Sequence, residues 1–127
     1  MAVPLQPLRI PLGWLIGWNK LVELDPTEAS VAAGLFGGSS LFGATNEKRR
    51  LTVDVEWVPE DDPAGEYHLR VERAPWERTE RGRRRKDVPL HFGNAQIVHE
   101  FRTRSRVELV QELEGVLLNS DQWREHN

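Results

Sequence analysis

The sequence predicts an α+β fold: a single antiparallel β-sheet of roughly four to six strands, with a C-terminal α-helix packed on one face and a short helix near residue 26. Three observations predict it. Leu51, Val53, Val55 and Trp57 alternate with polar residues, and Tyr67, Leu69 and Val71 do the same after a break. Between these runs, Pro59-Glu60-Asp61-Asp62-Pro63-Ala64-Gly65 is turn chemistry, so the two arms read as a hairpin with one apolar and one charged face. Near the C-terminus Ser105 precedes Glu108 by three residues, at the spacing of a capping box. The apolar stripe Val107, Val110, Leu113 and Leu117, flanked by Leu109 and Val116, then has helical spacing.

A chain of 127 residues suits one domain and one core. Its 39% hydrophobic and 29% charged content is that of a soluble globular protein. No apolar run is long enough to cross a bilayer, and the proline-punctuated start does not resemble a signal peptide. Absence of cysteine excludes disulfides and thiolate metal sites. These features together fit a cytoplasmic protein. The net charge of −3 is small but uneven. Glu60, Asp61, Asp62 and Glu66 crowd the hairpin tip, whereas Arg78 and the run Arg81-Gly82-Arg83-Arg84-Arg85-Lys86 crowd a later segment.

In chain order, residues 1–12 read as an extended arm, because Pro4, Pro7 and Pro11 lack donors and restrict their predecessors. Residues 13–24 read as a strand with Trp14, Ile16 and Trp18 on one face. The alternation fails after Asn19, where a bulge or bend is expected. Asp25-Pro26-Thr27-Glu28 is a helix start with Asp25 as cap, predicting a helix over residues 26–33. Gly34, Gly37 and Gly38 end it. The glycine-rich stretch lacks the lysine of a phosphate-binding loop, and reads as an apolar loop with a short edge strand over residues 40–44. Residues 46–49 are a polar turn into the hairpin. After Ala74-Pro75-Trp76 comes the charged run. Strands are then expected over residues 88–92 and 96–101, joined by a tight turn at Gly93-Asn94. The helix capped by Ser105 stops near Asn119, and residues 120–127 form a polar tail from which Trp123 packs back.

Candidate chemistry is sparse. Glu60, Asp61 and Asp62 are consecutive, lack EF-hand spacing, and read as a solvated turn or a contact for a basic partner. Asp54 and Glu56 share a strand face with His68 and Arg70 opposite, which reads as a salt-bridge ladder rather than acid–base machinery. His68, His91, His99 and His126 form no HExxH pair. His91 and His99, facing across a turn, lack a third ligand. No catalytic, cofactor-binding or metal-binding residue is therefore assigned. The basic run suggests nucleic acid through phosphate neutralisation, but acids dilute it, aromatic residues are absent within it, and it is expected to be a mobile loop. Trp14, Trp18 and Trp57 read as core or core-edge. Trp76, after a proline at a strand end, reads as an exposed apolar anchor.

A resemblance is carried by Arg9-Ile10-Pro11-Leu12-Gly13-Trp14, Trp18-Asn19 and Leu24-Asp25-Pro26. Further matches are Val53-Asp54-Val55-Glu56-Trp57-Val58-Pro59-Glu60 with Gly65, Tyr67, Leu69 and Val71, and Phe101-Arg102-Thr103-Arg104 before the capped helix. In scattered short matches over most of its length, the chain is similar to immunity proteins of bacterial polymorphic-toxin systems. The Glu56-Trp57-Val58 triplet, the basic run and the glycine-rich segment depart from that pattern. The resemblance implies a protein that neutralises a cognate toxin domain by direct contact, without catalysis. The expected contact set is Glu60, Asp61, Asp62, Glu66, Trp76, Arg83, Arg84 and Arg85. The alternative is a nucleic-acid-associated protein that binds through residues 81–86.

Overall fold

The structure, a computed structural model, describes residues 3–38 and 40–124; the ends of the expected arm and tail, with His126, lie outside them. Five strands, β1 (Trp14–Asn19), β2 (Phe42–Asn46), β3 (Leu51–Val58), β4 (Glu66–Arg73) and β5 (Gln96–Thr103), form one sheet in sequence order. Every neighbouring pair is antiparallel. The helices are α1 (Glu28–Ala32) and α2 (Arg106–Leu118), and a 3-10 turn, Ser120–Trp123, follows. Among the described residues no helix is long and apolar enough to cross a membrane.

The central hairpin forms as its alternation predicts. Val53 pairs with Val71, Val55 with Leu69 and Trp57 with Tyr67, and these side chains are buried. The same face continues through Phe42 and Ala44 of β2 and Phe101 of β5. Helix α2 covers it with Leu109, Leu113, Val116 and Leu117, all buried, while Val107 points outward at 55% exposure. Helix α1 and the loop after it add Val31, Phe36 and Leu41 to the same core. Phe36, Trp57 and Tyr67 meet with ring centroids 5.2 to 5.9 Å apart, in tilted and edge-on contacts that favour aromatic attraction.

Several expectations change. Ser105 caps α2, accepting from the Glu108 amide at 3.2 Å. The reciprocal half of the box is missing, because the Glu108 carboxylate takes the Thr103 hydroxyl at 2.7 Å and the Ser105 amide also goes to Thr103. Thr27, not Asp25, caps α1, in a reciprocal box with Ser30. Asp25 instead takes the Arg106 guanidinium at 2.9 Å, tying the start of α1 to the start of α2. The strand expected at residues 40–44 is β2, and it is interior rather than an edge. Residues 88–92 form no strand: Pro89 offers no donor, and β5 is left as an edge of the sheet.

The bulge expected after Asn19 lies earlier, between Ile16 and Trp18. Gly17 is the extra residue, and one extra residue turns all that follows to the opposite face. Trp14 is therefore buried on the core face, its indole N–H donating to the Leu117 carbonyl at 2.9 Å. Trp18 stands on the open face, 52% exposed. The expectation that both are core or core-edge fails for Trp18, which stands on the open face because of that slip.

Candidate functional site

The β3–β4 tip is a built turn rather than a loose acidic loop. Asp61 adopts a left-handed backbone, with φ 58°. The Asp62 carbonyl accepts from the Trp57 indole and from the Gly65 amide, both at 2.8 Å, and its carboxylate accepts from the Ala64 amide at 2.8 Å. The Glu60 carboxylate accepts from the Gly38 amide at 2.9 Å, drawing the glycine-rich loop onto the tip. Arg104, at the end of β5, donates to the carbonyls of Pro63 and Gly65. Glu60 and Asp61 remain exposed, and Glu66 lies 3.9 Å from Arg102.

The sheet face opposite α2 is uncovered. On it Trp18 pairs with Gly43, Gly43 with Asp54, Asp54 with Arg70, and Arg70 with Glu100. The next row is Glu56, His68 and Arg102. The register sets Asp54 opposite Arg70 and Glu56 opposite His68, as the sequence predicts, but the close contacts of these side chains run to other residues. The His68 ring nitrogen is 3.0 Å from Glu100, Arg70 is 3.5 Å from Glu72, and the Ser40 hydroxyl donates to Asp54. Glycine at position 43 leaves room beside Trp18, whose indole N–H donates to the Ser40 carbonyl at 2.6 Å. Trp18 therefore lies level with Asp54, near the middle of β3, two strands from it, or roughly 10 Å away.

A second concentration of charge sits at the other end of the hairpin. Lys48, Arg49 and Arg50 leave the β2–β3 turn, Arg73 ends β4, Arg84 comes from the basic run, and Arg124 follows the 3-10 turn. With Ala74 and Trp76 these residues line a cleft of about 240 Å³ in which, among the described residues, no carboxylate takes part in the lining. Arg50 has φ 59° and is buried, donating to the carbonyls of Ala74 at 2.9 Å and Pro75 at 3.2 Å. Its guanidinium carbon lies 4.1 Å from the centre of the Trp76 ring, and that of Arg84 lies 5.3 Å away. Both distances suit cation–π attraction.

Trp76 is thus a platform for two guanidiniums and half-buried, not the exposed anchor that the sequence suggests. Nor is the basic run a featureless mobile loop. It folds back as a small hairpin in which Arg78 bridges Arg84, Thr79 donates to the Arg83 carbonyl at 2.8 Å, and Gly82 turns with φ 81°. Arg83 shares a shallow concavity with Arg78, Arg84 and Lys86. Arg85 points elsewhere, to Asp87 at 3.0 Å; that bond holds the Asp87 carboxyl below, and the guanidinium above, its ordinary pKa.

The predicted contact residues therefore divide. Glu60, Asp61, Asp62 and Glu66 gather at one end of the hairpin, Trp76 and Arg84 at the other, separated by the eight residues of β3, or roughly 25 Å. His91 and His99 do not face each other, since His91 lies 3.2 Å from Glu77 and His99 lies 2.6 Å from Glu112 of α2. Among the described residues no group of three metal-ligating side chains forms. Sequence reasoning passed over the cleft. Lys48-Arg49-Arg50 was legible as a basic triplet, but Arg73 and Arg124 carry no local signal that they join it. Compared with the models of known families, with curated proteins and with solved structures, the chain matches none.

Proposed function

We propose that this chain is an immunity-type binding protein of the bacterial cytoplasm, which neutralises a cognate toxin domain by direct contact and performs no reaction of its own. The observation that carries the reading is the half-exposed Trp18 on an uncovered sheet face, in the same row as the charged residues Asp54, Arg70 and Glu100. Aromatic side chains at the centre of protein contacts supply much of their energy, and charges around them set the rate of encounter. The open face carries Asp54, Glu56, Glu72 and Glu100 against Arg70 and Arg102, and the tip adds Glu60 and Asp61. The partner is therefore a basic surface, as suits toxin domains that act on nucleic acid. The segments that resemble immunity proteins support the same reading, since Trp18, Asp54 and Glu56 of those segments lie on this face and Glu60 at the tip.

The test is co-expression with the toxin domain encoded beside this gene. Rescue of growth and a stable complex between the two purified proteins are expected. A gene with no secreted toxin beside it, or a toxin domain that this chain neither binds nor silences, overturns the reading.

A further inference from the structure

We infer that the cleft at the far end of the hairpin is a binding site for a phosphoryl group. This inference does not rest on the toxin reading, because the cleft lies at the end of the hairpin opposite the acidic tip and shares no lining residue with the open sheet face. Four segments distant in sequence bring cations to it: the β2–β3 turn, the end of β4, the small basic hairpin, and the chain after the 3-10 turn. In a protein of net charge −3 such convergence is not a by-product of composition. Like charges gathered in one concavity repel each other, and a bound anion reverses the sign of that cost.

The cations are held in place before any ligand arrives. Arg50 is fixed by two carbonyls and the Trp76 face. Arg73 donates through one terminal nitrogen to the Trp123 carbonyl at 2.9 Å, while its Nε is buried without a hydrogen-bond partner. Arg49 is engaged by Asp121 at the rim, whereas Lys48 and Arg124 form no ion pair among the described residues.

Size and geometry select the anion. The volume of about 240 Å³ lies below the range of roughly 300–1,000 Å³ usual for drug-sized ligands, and suits one or two phosphoryl groups. A carboxylate offers two oxygens in a plane and one charge. A phosphoryl group directs three oxygens outward and carries up to two charges, which matches donors converging from several directions. The Trp76 ring already carries two guanidiniums, so it positions donors and is not a stacking surface for a base. The phosphoryl group belongs either to a small phosphate compound or to the backbone of a polynucleotide.

The test is calorimetric titration of the full chain with inorganic pyrophosphate at constant ionic strength, chloride making up the balance. Saturable binding at one site is expected. Lys48→Ala and Arg124→Ala, both at exposed positions, should each weaken it roughly tenfold, the worth of one charge-assisted bond. Arg102→Gln, on the open sheet face, should leave it unchanged. Unfolding midpoints of all three variants guard against misfolding. Competition by a single-stranded oligonucleotide assigns the phosphoryl group to a polynucleotide backbone, and its failure to compete assigns it to a small compound. No saturable pyrophosphate binding overturns the inference, whether or not the oligonucleotide binds. So does equal weakening by Arg102→Gln.

Discussion

The indole N–H of Trp57 donates to the carbonyl oxygen of Asp62 at 2.8 Å, fastening strand β3 to the turn into which it leads. Gly65 closes that turn, and a β-carbon there would lie 2.7 Å from the Trp57 nitrogen and 2.8 Å from the Val58 carbonyl. Neither neighbour can yield, because one is part of a buried ring and the other is backbone. Gly65→Ala should therefore destabilise the fold by about 1–3 kcal/mol, the range for overpacking. The urea unfolding midpoint checks this, and an unchanged midpoint would show that the turn relaxes freely.

Leu113 is fully buried where α2 meets the sheet. Its truncation to alanine removes apolar burial and leaves a cavity, with an expected cost of about 2–5 kcal/mol. Ser105→Ala removes the cap on the Glu108 amide and should cost about 1 kcal/mol. Chemical denaturation of both variants measures the difference, and equal effects would contradict the distinct roles of the two residues.

Tyr67 is the only tyrosine, and its buried hydroxyl has no hydrogen-bond partner. Burial pushes its pKa up, with nearby Arg106 opposing and Asp25 reinforcing the shift. The unfolded chain releases this proton near pH 10, while the folded chain holds it to higher pH. The resulting stability is thus fully present below about pH 10 and is lost as pH rises beyond it. Tyr67→Phe should leave stability at neutral pH unchanged or higher, by up to about 1–3 kcal/mol, and should flatten the alkaline decline. Ultraviolet titration of the lone phenol, alongside unfolding at several alkaline pH values, tests both parts.

Trp18 and Trp76 make opposite predictions for the toxin complex. Trp18→Ala should speed dissociation by roughly thirtyfold, equivalent to about 2 kcal/mol at a binding hot spot. Trp76→Ala should lower stability, since two guanidiniums lose their platform, and should leave dissociation unchanged. Rate measurements on both variants separate the open sheet face from the basic cleft. A faster off-rate for Trp76→Ala alone would move the interface to the basic cleft.

Charge at the tip should act on encounter rather than on residence. Glu66→Lys reverses a half-buried charge that makes only a long contact with Arg102. It should slow association severalfold at low salt, with the difference fading as salt screens the field. Association rates at two ionic strengths provide the check. Asp62 is the wrong probe, because its carboxylate also holds the Ala64 amide within the turn.

By itself the sequence determined the α+β class, the β3–β4 register and the cap of α2, because alternation, turn residues and capping are local signals written in neighbouring residues. Val53, Val55, Leu69 and Val71 bury as their spacing requires. Tertiary structure decided the rest. A single inserted glycine at position 17 sent Trp18 to the opposite face from Trp14, which a pattern of period two cannot foresee without the partner strand. Asp25 lost its cap to Thr27 and gained Arg106, a residue remote in the chain. The basic cleft exists only because the ends of strands far apart in sequence meet at one end of the sheet. Long-range convergence of single side chains leaves no periodic trace, so neither Arg73 and Arg124 nor the stacking of Trp76 was legible before the fold placed them.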